Sequence, residues 1–371
     1  MPSPLTPSEE STLIRKTNSE ILLVVFIHGF KGGDNTFKEF PQRLQHVLSE
    51  SVDNICVESI VFPAYETKGE LNAAVTRFAD WLTTLTVQRE NEHGGGAGSA
   101  KVVICGHSMG GFLAADSLLE FIKTRPDQDC PLWPRIIACV TFDTPFLGIN
   151  PGVVKNGVTK AAEFANVATT AGSAIFGSFA GLGAQKVAET RASPSNNSAP
   201  ASPWGKWAPA AFAVGGALLA GAAAGGTYYK RNDLNQGYTW LMDHMKYAGN
   251  IWDEPGLRRR VDALVDAHEK HGIFFRNFYV LLPEAPPMHL TARTFIVQPK
   301  RTSREVKYFT PTKNKRAADE AQGHTGMFDA KTNDGYYNLG LVAANVIREA
   351  VQATRATGST ESDATSGKDD V

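Results

Sequence analysis

The hexapeptide Gly106-His107-Ser108-Met109-Gly110-Gly111 is the feature that most restricts what this chain can fold into. It stands directly behind the apolar run 101–105 (KVVIC) and directly ahead of an apolar stretch with helical spacing, so a serine falls where a strand stops and a helix starts. A turn this sharp strains the backbone of the serine, and it closes only when the residues two positions away on either side lack a Cβ. Gly106 and Gly110 meet that condition. The chain is therefore expected to contain a strand, an elbow and a helix in immediate succession, with the Ser108 hydroxyl held out at the end of the strand as a candidate nucleophile.

The surroundings carry the same rhythm. Runs rich in β-branched residues at 21–27, 55–62, 101–105, 135–142, 274–282 and 293–297 alternate with helical segments, the pattern of a mainly parallel sheet covered on both faces. Pro41 suits the start of a helix whose Leu44, Val47 and Leu48 share one face. Leu71, Ala74, Val75, Phe78, Leu82 and Leu85 mark a second helix, which ends before the Gly-rich loop 94–99, and Leu339, Val342, Val346 and Ile347 mark the last. The segment 353–371 has too little apolar content to pack and reads as a disordered tail, and residues 1–19 read as a flexible N-terminus. The sheet domain is thus expected over 20–149 and 274–352. The interval 150–273 interrupts the rhythm as an insertion, with a low-complexity linker at 190–203.

Three further motifs bear on chemistry. His28-Gly29-Phe30 closes the first strand in a turn that can aim the Phe30 N–H at a developing oxyanion, with the N–H of Met109 as the second donor. His324, in Gly323-His324-Thr325-Gly326, follows the last predicted strand and precedes the last helix, the place for a general base; His244, His268, His271 and His289 fit that place less well. The acid has more than one candidate. Asp143 follows the run 135–142 directly and is the first choice. Glu284 ends the run 274–282, and Asp319 and Glu320 lie close to His324 in sequence. The three-residue spacing of His268 and His271 lacks the further ligands a metal site needs and reads as a helix face.

Taken together, His28-Gly29-Phe30, the Ser108 hexapeptide and Asp143-Thr144-Pro145-Phe146-Leu147-Gly148 resemble the lipase-like serine esterases of the α/β-hydrolase superfamily, a group that includes the GPI inositol-deacylase-like proteins. The resemblance covers about 20–150 and 274–350. In those relatives the third motif usually begins Gly-Thr-Pro or Ser-Pro, so Asp143 departs from the pattern. The resemblance implies an α/β-hydrolase fold and acyl transfer from a carboxylic ester. Ser108 would attack, His324 would take its proton, Asp143 would be the acid, and the N–H groups of Phe30 and Met109 would hold the oxyanion. No metal and no cofactor is expected. A thioesterase or amidase would use the same residues, and a catalytically idle membrane-associated scaffold would keep the fold without them.

Composition limits the partners. With 42% hydrophobic and 20% charged residues the chain can bury a sizeable core, and a net charge of −1 without a basic stripe argues against nucleic acid. The four cysteines, Cys56, Cys105, Cys130 and Cys139, lack metal-ligand spacing and read as reduced core residues. The first twenty residues lack the apolar stretch of a signal peptide, so a cytoplasmic location is expected. Within the insertion, 164–185 and 207–229 carry little or no charge. They suit a helical lid over acyl-chain or lipid substrates, or a membrane-associated hairpin.

Overall fold

The computed structural model describes residues 20–29, 32–64, 71–127, 130–153 and 254–366, with side chains as far as residue 357. The chain divides into two compact units, Met1–Asn150 with His244–Val371, and Pro151–Asp243. Beyond residue 153 the second unit lies outside the described residues, and with it the uncharged runs and the linker. No described helix is long and apolar enough to cross a membrane.

The first unit runs β1 (Glu20–Ile27), α1 (Phe40–Ser51), β2 (Ile55–Val61), α2 (Leu71–His93), β3 (Ala100–His107), α3 (Met109–Lys123), β4 (Arg135–Phe142), α4 (Glu254–His271), β5 (Phe274–Leu282), β6 (Arg293–Thr294), β7 (Phe309–Lys313), α5 (Glu320–Thr325) and α6 (Tyr336–Ser366). The strands form one sheet in the order β2-β1-β3-β4-β5, with β7 parallel to β5 on its far edge. The remaining neighbour, β6, is antiparallel: Leu281 pairs with Thr294 of β6 and with Lys313 of β7. The direction of winding reverses between β1 and β3, and in parallel sheets the loops beyond the carboxyl ends of the strands at such a point form the binding crevice.

The central strands are mostly apolar because both faces are covered. In β1 every residue after Glu20 is buried, and so is every residue of β3. On one face Leu22, Val24 and Phe26 meet α1 and α6 in a single apolar cluster. Phe40, fully buried at the start of α1, sets its ring edge-on to Phe142 (5.6 Å), Phe328 (5.0 Å) and Tyr336 (5.8 Å), tying α1 to β4 and α6. Truncating such a ring costs about 3–5 kcal/mol. On the other face α2, α3 and α4 pack side by side.

Four expectations need correction. The stretch 254–271, read as the end of the insertion, is the crossover helix α4, which packs on α3 and β5 and groups with the sheet. Its Arg260 makes a two-pronged bond to Asp116 of α3 at 2.5 and 3.0 Å. The run 293–297 is not the last strand: only Arg293–Thr294 forms β6, and the final parallel strand is Phe309–Lys313, whose Pro and Lys residues hid it. The tail is not disordered from 353, since α6 continues to Ser366. No proline interrupts it, and Arg355 bonds Glu20 at 2.9 Å and the carbonyl of Asp53 at 2.8 Å, fastening that turn to β1. Cys130 is exposed and Cys56 half-buried, so only Cys105 and Cys139 are core residues.

Candidate active site

Ser108 stands between β3 and α3 with φ 55° and ψ −122°, a conformation in which a residue with a Cβ is strained. Two backbone bonds fix it. Its N–H donates to the Phe142 carbonyl at 3.0 Å, and its carbonyl accepts from Gly111 at 3.0 Å. The flanking glycines are required by proximity. A Cβ on Gly106 would meet the backbone of Gly110 and Gly111, and one on Gly110 would run into the carbonyl oxygens of Ile27 and His28. Thus α3 starts against the end of β1, and a Cβ on Gly29 would lie 3.0 Å from the Ser108 Cβ and 3.5 Å from the Met109 nitrogen. As the first residue of α3, Met109 presents its N–H at a helix start, where backbone donors and the helix dipole favour negative charge. Phe30 lies outside the described residues.

His324 and Asp143 meet at the same edge although 181 residues separate them: Nδ1 of His324 donates to Oδ2 of Asp143 at 2.7 Å, with both side chains fully buried. Asp143 follows β4 with φ 49°, and its Oδ1 accepts from the Val280 N–H of β5 at 3.1 Å. Each oxygen of the carboxylate therefore faces a donor. Burial pushes the Asp143 carboxyl well up from its ordinary value, and the Val280 N–H together with the neighbouring His107 opposes that rise. Burial pushes the His324 imidazole well down, so the resting ring is neutral, with its proton on Nδ1 and a lone pair on Nε2.

Residues 17–181 match the family described as Putative serine esterase (DUF676). Among solved structures, the peroxisomal alpha-beta-hydrolase Lpx1 of Saccharomyces cerevisiae is similar at 11% identity and a TM-score of 0.38, over 95% of this chain and 88% of that one. A carboxylesterase of Nitrososphaera gargenis is similar at 12% identity and a TM-score of 0.36, over 90% and 93%. Phospholipase PlaB of Legionella pneumophila is similar at 15% identity and a TM-score of 0.27 over 34% of this chain, which spans about a quarter (26%) of the phospholipase. No curated protein matches the chain.

The other sequence candidates fall apart. Glu284 is exposed beyond β5. Asp319 caps α5 by accepting from the Gln322 N–H at 2.8 Å, and Glu320 forms an ion pair with Arg293 at 3.3 Å. His268 sets its ring edge-on to Phe274 and Tyr308, while His271 is exposed. His244 lies outside the described residues. Near the elbow, His28 is buried, with Nδ1 2.9 Å from the Gly29 carbonyl.

Two residues of the site were missed from sequence. Asn277 of β5 is fully buried and makes three amide hydrogen bonds to the end of β4 and the turn beyond it. Its Oδ1 accepts from Thr141 at 2.9 Å and from the Thr144 N–H at 3.3 Å, and its Nδ2 donates to the Thr144 carbonyl at 3.0 Å. These bonds hold the turn that carries Asp143. The signal for it was a lone amide in a mostly apolar stretch, FFRNFYVLL. Phe295 stacks on the His324 ring at 3.9 Å and 20°, and nothing in its sequence setting sets it apart from a core residue.

Proposed function

We propose that this domain hydrolyses carboxylic esters through an acyl-enzyme on Ser108. The observation that carries the reading is the buried 2.7 Å contact of His324 Nδ1 with Asp143, brought by parallel topology to the strand edge that holds the strained serine. In the first step Nε2 of His324 takes the Ser108 proton while the serine oxygen attacks the acyl carbonyl. Asp143 holds the ring in the tautomer that leaves Nε2 able to accept, and it stabilises the imidazolium that forms. The Met109 N–H, with that of Phe30 as second donor, receives the oxyanion. The imidazolium returns its proton to the departing alkoxide, and water then releases the acid by the same steps. A substrate with an acyl chain is favoured by the uncharged runs at 164–185 and 207–229, which we read as lid elements of an insertion within 150–273.

The test is labelling with a fluorophosphonate probe, followed by hydrolysis of a short-chain water-soluble ester. Ser108→Ala is expected to fold and to lose on the order of 10⁶ in kcat, together with all labelling. Undiminished turnover by a folded Ser108→Ala protein refutes the proposal.

A further inference from the structure

One buried side chain of the site is idle in the mechanism above. His107 immediately precedes the serine, at the end of β3, and its Nε2 lies 3.2 Å from the backbone carbonyl of His324. A carbonyl only accepts, so His107 carries its proton on Nε2 and donates. The bond answers a need of α5, a helix of six residues whose final carbonyls have no helical partner. Gly326 satisfies the carbonyl of Gln322, and His107 reaches that of His324.

The ring contacts restrain the pair further. The His107 ring lies 4.6 Å from that of His324 at 32°, and its other neighbours are Phe328 at 5.2 Å and Phe37 at 6.5 Å, both edge-on. The titratable groups that face it are His324 from α5, Asp143 from the end of β4 and His28 from the end of β1. Burial first, and then the adjacent His324, push the His107 imidazole down to about 3. It therefore stays an uncharged donor when its neighbour takes up a proton.

We propose that His107 is a positioning residue that sets the distance between nucleophile and base, by bonding the backbone of His324 from the residue covalently joined to Ser108. This rests on the reading of Ser108 and His324 given above. The ring packing and the Asp143 bond orient the imidazole, and the bond from His107 adds a direct tie between the α5 backbone and the residue next to the serine. A displacement of about 1 Å in a reacting group costs on the order of 10²-fold in rate.

The experiment compares His107→Gln, whose amide can still reach the carbonyl, with His107→Asn, whose shorter amide cannot, and with His107→Phe, which keeps a ring and loses the donor. Each is assayed on a short-chain water-soluble ester and for its rate of fluorophosphonate labelling, with melting temperature as a check on the fold. Gln is expected to stay within about threefold of the parent in kcat. Asn and Phe are expected to fall about 10- to 100-fold in kcat and in labelling rate, with KM within about twofold. If Phe fails to fold, the contrast between Gln and Asn decides alone. Parent-like kcat in Asn or Phe overturns the proposal, as does a Gln variant as slow as Asn or a loss confined to KM. If Ser108→Ala keeps activity, the esterase reading itself has failed; if it is dead while Asn is as fast as the parent, only the role of His107 is refuted.

Discussion

Replacing Asp143 by asparagine isolates the electrostatic part of the site, because the shape is kept and the charge is removed. In the parent, Oδ1 accepts from Val280 at 3.1 Å and Oδ2 from His324 at 2.7 Å. An amide can satisfy Val280 only through its one oxygen, which turns its NH2 group toward Nδ1 of His324. Nδ1 must then accept, so the ring proton moves to Nε2 and the base can no longer take the serine proton. The imidazolium also loses its counter-charge. At roughly 4 Å between charge centres and an effective dielectric near 20, that attraction is about 4 kcal/mol, or close to 10³-fold in rate. With the tautomer penalty the expected loss in kcat is about 10³- to 10⁴-fold. Stability should move the other way, because burial raises the carboxyl and a neutral amide escapes that penalty. The assay is kcat on a soluble ester beside a thermal melt, with Glu284→Gln as a control expected within twofold because that side chain is exposed. A folded Asp143→Asn protein with more than a tenth of parental kcat, or an inactive Glu284→Gln protein, refutes the assignment of the acid.

Two further outcomes follow from the same geometry. Gly110→Ala places a methyl group against the carbonyls of Ile27 and His28, so β1 and α3 must separate; a loss of about 1–3 kcal/mol or more in urea unfolding is expected, and a parent-like midpoint contradicts the close approach. Stability should also fall between pH 6.5 and 5: the unfolded chain protonates His107 and His324 near 6.5, whereas burial keeps both neutral in the fold, and the opposite shift of Asp143 cancels one of these two protons. The lowered His28, His268 and His271 act in the same direction, so the unfolded chain binds the more protons and stability falls on acidification, read from urea midpoints; stability that is flat or rising over that range contradicts it.

Much of the sheet was legible because parallel strands buried on both faces leave a strong signature. The runs 135–142 and 274–282 match β4 and β5 to the residue, and 21–27 falls one residue short of β1. What failed was short or mixed. Phe309–Lys313 is an edge strand of five residues with a proline and a lysine, a composition that reads as loop until its partner β5 is known. The helix Glu254–His271 was hidden by its charge, since only Leu257, Val261, Leu264, Val265 and Ala267 face inward. At the site, the elbow could be read from glycine spacing because the constraint is local. The bond between Asp143 and His324 could not, because the choice among Asp143, Glu284, Asp319 and Glu320 depends on where β5 and α5 lie in space. Asn277 acts across the sheet and Phe295 on a ring in α5, and local spacing carries no trace of such contacts.

The separation of 181 positions between Asp143 and His324 has a consequence for how the site comes into being. The elbow and the acid sit on β3 and β4, and both are complete before the interval leading to α4 has been synthesised. The base arrives only after β5 and β7 have joined the sheet and α5 has settled above them. A chain that has formed only its first four strands therefore holds the strained serine and Asp143 without His324. The contact of Asp143 with His324 depends on the last long-range closure, whose entropic cost grows only slowly with the length of the intervening segment. The stretch between β4 and α4 can thus be long at little cost to the contact, while His324 joins Ser108 and Asp143 last in the order of synthesis.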